Sequence, residues 1–165
     1  MKYLLDANTF IEAKNRYYGM AICPAYWQWL LNSNEQHQVC SIDFVKDELI
    51  HYGDELSDWV KDHQHIFSPE SDEATQKAFQ SVIGYVMSMT EMNNGTHEEF
   101  LRGADPWLIA KAMATGATIV THESYKNGIK KKILIPNVCK VLGVEYINTF
   151  ELLHKLEAEF VLLAA

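Results

Sequence analysis

Four acidic residues that are far apart in the chain, Asp6, Glu48, Asp105 and Glu123, all flank segments that a parallel sheet would gather at one edge. Asp6 ends the apolar run Tyr3-Leu4-Leu5, and Glu48 lies in a helical stretch after Val39-Cys40-Ser41-Ile42. Asp105 leads Pro106-Trp107-Leu108-Ile109-Ala110, and Glu123 follows Ala117-Thr118-Ile119-Val120-Thr121. Carboxylates sharing one pocket repel each other unless a cation joins them. Oxygen donors suit a hard divalent ion, Mg2+ or Mn2+, better than a softer metal. The natural use of such an ion is metal-assisted phosphoester hydrolysis.

The elements that must position these residues can be read from periodicity and punctuation. Strands are expected at 2–6, 38–42, 65–67, 117–121 and 144–147. Asn8 is placed to cap a helix over 8–14, and Pro24 opens an aromatic-rich helix that ends at Asn32-Ser33-Asn34. Helices follow at 43–52 and 54–63, split near Gly53. A longer helix over 72–91 carries apolar residues at spacings of three and four. Asn93-Asn94-Gly95-Thr96 breaks it. Asp105 as N-cap and Pro106 behind it start a helix that Gly116 ends, and a last helix covers 149–160. Strands alternating with helices predict one α/β domain over 1–165, with a central, mostly parallel sheet covered on both faces. In right-handed βαβ units, strand C-termini and helix N-termini share one edge. That edge collects all four acids, and it is where open α/β sheets bind ligands.

Bulk properties fit this picture. A chain of 165 residues with 48% hydrophobic content can bury a full core without staples. Cys23, Cys40 and Cys139 cannot all pair and lack metal-ligand spacing, so a reduced, cytoplasmic chain is expected. The apolar start meets Asp6 too soon for a signal peptide, and no run reaches the ~20 residues of a membrane span. The tail Phe160–Ala165 is expected to pack on the core or on a partner. Residues 43–73 hold ten acids and two bases, a balance of −8 that equals the net charge of the whole chain. Residues 124–140 hold five lysines, Lys126, Lys130, Lys131, Lys132 and Lys140, and no acid. That strip could meet phosphates beside the acidic pocket, or be a solvated loop. Tyr17, Tyr18, Tyr26, Trp27 and Trp29 form a dense aromatic group: a base-stacking platform, a partner interface, or the aromatic face of a core helix.

The order of segments resembles the PIN domain, a family of metal-dependent nucleases, over nearly the whole chain. The matching stretches are Leu4-Leu5-Asp6-Ala7-Asn8-Thr9-Phe10-Ile11, Val45-Lys46-Asp47-Glu48-Leu49, Ala104-Asp105-Pro106-Trp107-Leu108-Ile109-Ala110-Lys111-Ala112 and Ile119-Val120-Thr121-His122-Glu123. The closing stretch, Ile135-Pro136-Asn137-Val138-Cys139 and then Val144-Glu145-Tyr146-Ile147, is also similar. Two features depart from the common pattern: glutamate as the fourth acid, and extra sequence around 70–104. The resemblance implies that Asp6 and Asp105 are central ligands of one or two Mg2+ or Mn2+ ions, completed by Glu48 and Glu123. Asn8 and Thr121 would orient a ligand or a water. The implied activity is endoribonucleolytic cleavage of single-stranded or looped RNA, leaving a 5′-phosphate and a 3′-hydroxyl. Many members are toxins of prokaryotic toxin–antitoxin pairs, which adds a cognate antitoxin protein or a homodimer to the partners implied.

Other readings remain open on the sequence. A haloacid dehalogenase-like phosphatase also starts with an aspartate after its first strand, but it needs a second acid where Asn8 stands. A receiver-type phosphoacceptor would want a paired acidic cluster that is missing. A non-catalytic PIN-like binding module would keep the fold without the chemistry. His51, His63 and His65 suggest zinc only without a recognised spacing. His122, next to Glu123, is either a leaving-group assistant or a surface histidine.

Overall fold

The computed structural model describes residues 2–161. Strands β1 (Tyr3–Leu5), β2 (Val39–Ile42), β3 (Phe67–Ser68), β4 (Thr118–Val120) and β5 (Tyr146–Ile147) make one sheet in the order β3-β2-β1-β4-β5. Every pairing is parallel. The strands are short and apolar because helices cover them on both faces. Leu4, Leu5, Val39, Ile42, Ile119 and Val120 are all buried. The α/β class expected from the sequence is the fold observed.

The helices are α1 (Ala7–Glu12), α2 (Pro24–Glu35), α3 (Asp43–His51), α4 (Glu55–Asp62), α5 (Glu73–Met87), α6 (Thr96–Arg102), α7 (Asp105–Thr115), α8 (Ile135–Leu142) and α9 (Thr149–Lys155). Several ends have a local cause. Asp54 with Ser57, and Asn148 with Glu151, form reciprocal capping boxes that start α4 and α9. Gly116 and Gly143 end α7 and α8 at φ 69° and 71°, a conformation that costs glycine little.

Some expectations are corrected. α1 begins at Ala7, so Asp6 holds the cap position and Asn8 lies inside the helix. The helix then widens into a π turn, Ala13–Tyr17. Asp105 is the first residue of α7, and Ala104 holds the cap position. The strand expected at 65–67 is a 3₁₀ turn, Gln64–Ile66, followed by β3. The helices expected over 72–91 and 149–160 stop at Met87 and Lys155. α6 and α8 are additional to the helices expected, and α8 carries Lys140, so the basic strip is only partly a loop.

The chain runs from β1 outward through β2 to β3, then returns to β4 on the far side of β1. The strand order therefore reverses between β1 and β4, which opens a crevice at their C-terminal ends. Around this sheet, the aromatic group of α2 is mostly core. Tyr26 and Trp27 are buried, Tyr18 stacks on Tyr26 at 4.4 Å, and Phe160 packs edge-on against Tyr18, Tyr26 and Trp29. The rest of the expected tail contact, 162–165, lies outside the described residues. Among the described residues no helix is long and apolar enough to cross a membrane.

Candidate metal centre

Register places the first two functional groups. Leu5 pairs with Val120, so Asp6 and Thr121 face each other one residue beyond the strands. The Asp6 N–H still donates to the Val120 carbonyl at 3.0 Å, and the Thr121 N–H donates to Ile147 at 2.9 Å. The ladder thus fixes both backbones, and the Thr121 hydroxyl donates to Asp6 Oδ2 at 2.8 Å. The same Thr121 oxygen accepts the Glu123 N–H at 3.1 Å. Ser41 Oγ on β2 donates to the Leu5 carbonyl at 2.6 Å and holds the sheet on the other flank.

Asp6 occupies the cap position of α1, and Asp105 the first position of α7. Neither side chain makes a capping bond. Among the described residues the Asp105 carboxylate has no hydrogen-bond or ion-pair partner, so a simple helix cap does not account for it. Glu48 reaches across from α3 and accepts the Ala104 N–H at 2.9 Å, which ties α3 to the start of α7. Asp47, its neighbour in the sequence, does not line the cavity.

Asp6, Glu48 and Asp105 line one cavity of about 470 Å3, with Asn8, Glu99 and Lys132 on its walls. Glu123 flanks it. Its Oε1 accepts from Lys132 Nζ at 2.6 Å, and its Oε2 accepts the Ile135 N–H at the start of α8 at 2.8 Å. Lys132 thus serves as counter-charge for the acids, and like Lys126, Lys130 and Lys131 it remains exposed. The crevice gathers Asp6, Asn8, Glu48 and Asp105 on its walls; Thr121 and Glu123 line the adjoining groove and meet it through their bonds to Asp6 and Lys132. Of the strip, the crevice takes Lys132 alone.

The electrostatics record crowding. Burial above all, with the Glu123 charge, pushes Asp6 up to about 6, against the Thr121 and Asn8 hydrogen bonds. Burial and then the charges of Asp6, Glu123 and Glu48 hold Asp105 well above the ordinary carboxylate range, opposed by Lys132. Burial alone would lower Lys132, but its bond to Glu123 and the surrounding acids outweigh that and raise it. The single lysine therefore stays charged and still leaves the two aspartates under-compensated.

The donor set fits a hard divalent cation. Every acidic group lining the cavity offers oxygen, and no histidine or cysteine lines it. The fit is one of donor chemistry and charge alone: among the described residues no three or more His, Cys, Asp or Glu side chains are arranged so that they could hold a metal ion. Glu123 would hold an ion only by releasing Lys132, so Asp6 and Asp105 are the better candidates for direct ligands, with Glu48 beside them.

The other candidates lie elsewhere. His122 faces a larger groove of about 780 Å3 along β5, stacks against Tyr17 at 5.9 Å and pairs with Thr149 Oγ1 at 3.0 Å. Burial lowers its pKa. It is committed to packing rather than to the acidic cavity. His63 Nδ1 pairs with the Trp59 carbonyl at 2.7 Å, an intrahelical role. Burial pushes the Cys40 and Cys139 thiols up to about 11 and 12, which makes both poor nucleophiles. Two cavity groups escape a reading of the sequence: Glu99 on α6, and Tyr52 just after α3. No periodic signal marks the short, polar α6, so nothing local points to Glu99.

Comparison with curated proteins and with solved structures finds no match. One family model matches residues 3–160, nearly the whole chain and all four acids. On that match, the chain belongs to the family described as Domain of unknown function (DUF4411).

Proposed function

We propose that this protein is a Mg2+- or Mn2+-dependent endoribonuclease of PIN type, acting as the toxin of a prokaryotic toxin–antitoxin pair. The observation that carries the nuclease reading is the pair Asp6 and Asp105. Asp6 is buried and Asp105 partly buried at the point where strand order reverses, both are raised above the usual carboxylate range, and neither side chain makes a capping bond. Perturbed carboxylates in a cleft are candidates for function rather than for stability. The toxin role rests on the sequence resemblance alone. Growth arrest by the wild-type protein, spared by Asp105→Asn, is its test.

In this reading Asp6, Asp105 and Glu48 hold the ion. When bound, a hard divalent cation supplies water activation and neutralises phosphate charge. Thr121 fixes the rotamer of Asp6 through its 2.8 Å bond, and Asn8 supports the same oxygen at 3.5 Å. Glu48 holds the Ala104 N–H and with it the entry of α7, so Asp105 stays aimed at the cavity. Lys132, with its side chain half exposed, sits at the rim where a phosphate would arrive. A phosphatase of the dehalogenase type is disfavoured because Asn8, an amide with no acidic proton, stands against Asp6.

The chemistry has a direct readout. Attack by water in line with the P–O3′ bond would break that bond, with O3′ leaving as the hydroxyl and the phosphate staying on the 5′ side of the next nucleotide. Attack by the neighbouring 2′-hydroxyl leaves a 2′,3′-cyclic phosphate. Ligation and phosphatase mapping of fragment ends is expected to find 5′-phosphates throughout, and cyclic ends would rule out this mechanism.

A further inference from the structure

A second groove, of about 380 Å3, lies beyond the acidic cavity between α5 and the loop that follows β4. Tyr85, Tyr125, Lys126, Lys130, Asn137 and Lys140 line it. We propose that it is a nucleotide subsite, taking one base and its phosphate from the single-stranded RNA whose neighbouring segment lies over Asp6 and Asp105. This rests on the nuclease reading and adds to it the place where the substrate strand is gripped.

Three observations support the assignment. The first is chemical. Tyr125 is 41% exposed in the middle of a basic surface, and Lys140 Nζ lies 4.2 Å from its ring centroid. Lys140 covers one face of the ring, so a base would stack on the other face, or displace Lys140 and leave it to meet the phosphate. Residues 124–140 carry five lysines and no acid, so the loop complements a polyanion, and among the described residues Glu91 is the one acid lining the groove.

The second is preorganisation. Asn137 clamps Lys126 by two bonds: its Oδ1 accepts the Lys126 N–H at 3.1 Å, and its Nδ2 donates to the Lys126 carbonyl at 2.8 Å. The Asn93 N–H donates to the Lys130 carbonyl at 2.9 Å. Between these anchors Gly128 turns the chain at φ 68°. The loop is held at both ends with its lysines outward, which reduces the ordering cost of binding.

The third is position. Lys130 lines this groove and Lys132 lines the acidic cavity. Two residues of chain span at most about 7 Å, so the two sites lie side by side along one loop. One strand of RNA can occupy both.

The test is fluorescence anisotropy with a labelled single-stranded RNA oligonucleotide, using Asp105→Asn protein in EDTA so that nothing is cut. Adding Tyr125→Ala is expected to weaken binding at least about fivefold, while Tyr125→Phe binds like the parent. Adding Lys130→Gln and Lys140→Gln is expected to weaken binding and flatten its salt dependence by about 0.7 per lysine. Circular dichroism melts confirm that each variant is folded. Unchanged RNA affinity in Tyr125→Ala would overturn the subsite and leave the groove to a protein partner, with the nuclease reading intact. If the parent binds too weakly to measure but the wild type cleaves RNA, the KM of Tyr125→Ala decides in the same way: a rise supports the subsite and no change overturns it. If the parent binds no RNA and the wild type cleaves none, the nuclease reading fails and takes the subsite with it.

Discussion

Asp105→Asn is expected to make the metal-free protein more stable while removing its activity. The Asp105 carboxylate is partly buried, lies among the charges of Asp6, Glu123 and Glu48, and among the described residues has no bond that an amide would lose. Asparagine keeps the shape and removes the charge, so desolvation and repulsion both fall. The gain is expected to be about 1–2 kcal/mol, the usual scale for relieving a strained functional site. For a chain of this size that is a Tm rise of about 2–8 °C in EDTA. RNA cleavage should fall by more than about a hundredfold, because loss of even a supporting group around a metal costs 10–100-fold. A thermal melt and an activity assay on one preparation check both halves. An inactive variant that is also less stable would mean that Asp105 serves the fold.

The second large effect is a stabilisation by Mg2+ or Mn2+ that grows with pH. Asp6 sits at about 6 in the folded protein against an ordinary 3.8, so the metal-free fold holds its proton more tightly than the unfolded chain. That share of stability is complete below about 3.8 and is lost as pH rises through about 6. A proton held that much more tightly is worth roughly 3 kcal/mol at most. The metal-free Tm should therefore fall between about pH 4 and about pH 7, by up to roughly 10 °C from this group, most of it below about pH 6. A divalent ion competes with these protons, so its effect is small at about pH 5 and large at about pH 7.5. At about a hundred times its Kd it contributes about 2.7 kcal/mol, enough to offset the loss. Differential scanning fluorimetry over pH, with and without Mn2+, reads both trends. Asp6→Asn should flatten both, and a metal effect that survives Asp6→Asn would place the ion elsewhere.

Much of this is legible in the sequence because three of the candidate acids, Asp6, Asp105 and Glu123, sit at or near strand and helix ends, where local signals are strongest. Leu4-Leu5-Asp6 and Ile119-Val120-Thr121 are apolar runs cut short by polar residues. Both stop where the register then places Asp6 against Thr121. Asp105-Pro106 marks the start of α7 to within one residue. Aspartate before proline fits the cap position and the first turn alike, and only the backbone distinguishes them. What is not legible depends on long-range contact. α6 is seven residues of mixed polarity entered through Gly95 at φ 84°, and it becomes a helix because Thr96 and Phe100 are buried. α8 is obscured by the apolar run Ile133-Leu134-Ile135, which reads as chain passing through a core before Pro136. Without α8, Lys140 and Asn137 cannot be placed around Tyr125. Lys132 looks like one more surface lysine, because nothing local distinguishes it from Lys131. Only the fold turns it toward Glu123.

We infer that Asp6 and Asp105 form a catalytic metal site for RNA. The most direct measurement is cleavage of total and transfer RNA by the wild-type protein and by Asp105→Asn, each in Mn2+ and in EDTA. Cleavage by the wild type in Mn2+ alone, absent from the other three reactions, is the expected result. Equal cleavage by both proteins would contradict it, as would a wild type that neither cuts RNA nor binds Mn2+. The latter would make this fold a binding module whose acidic crevice serves another end.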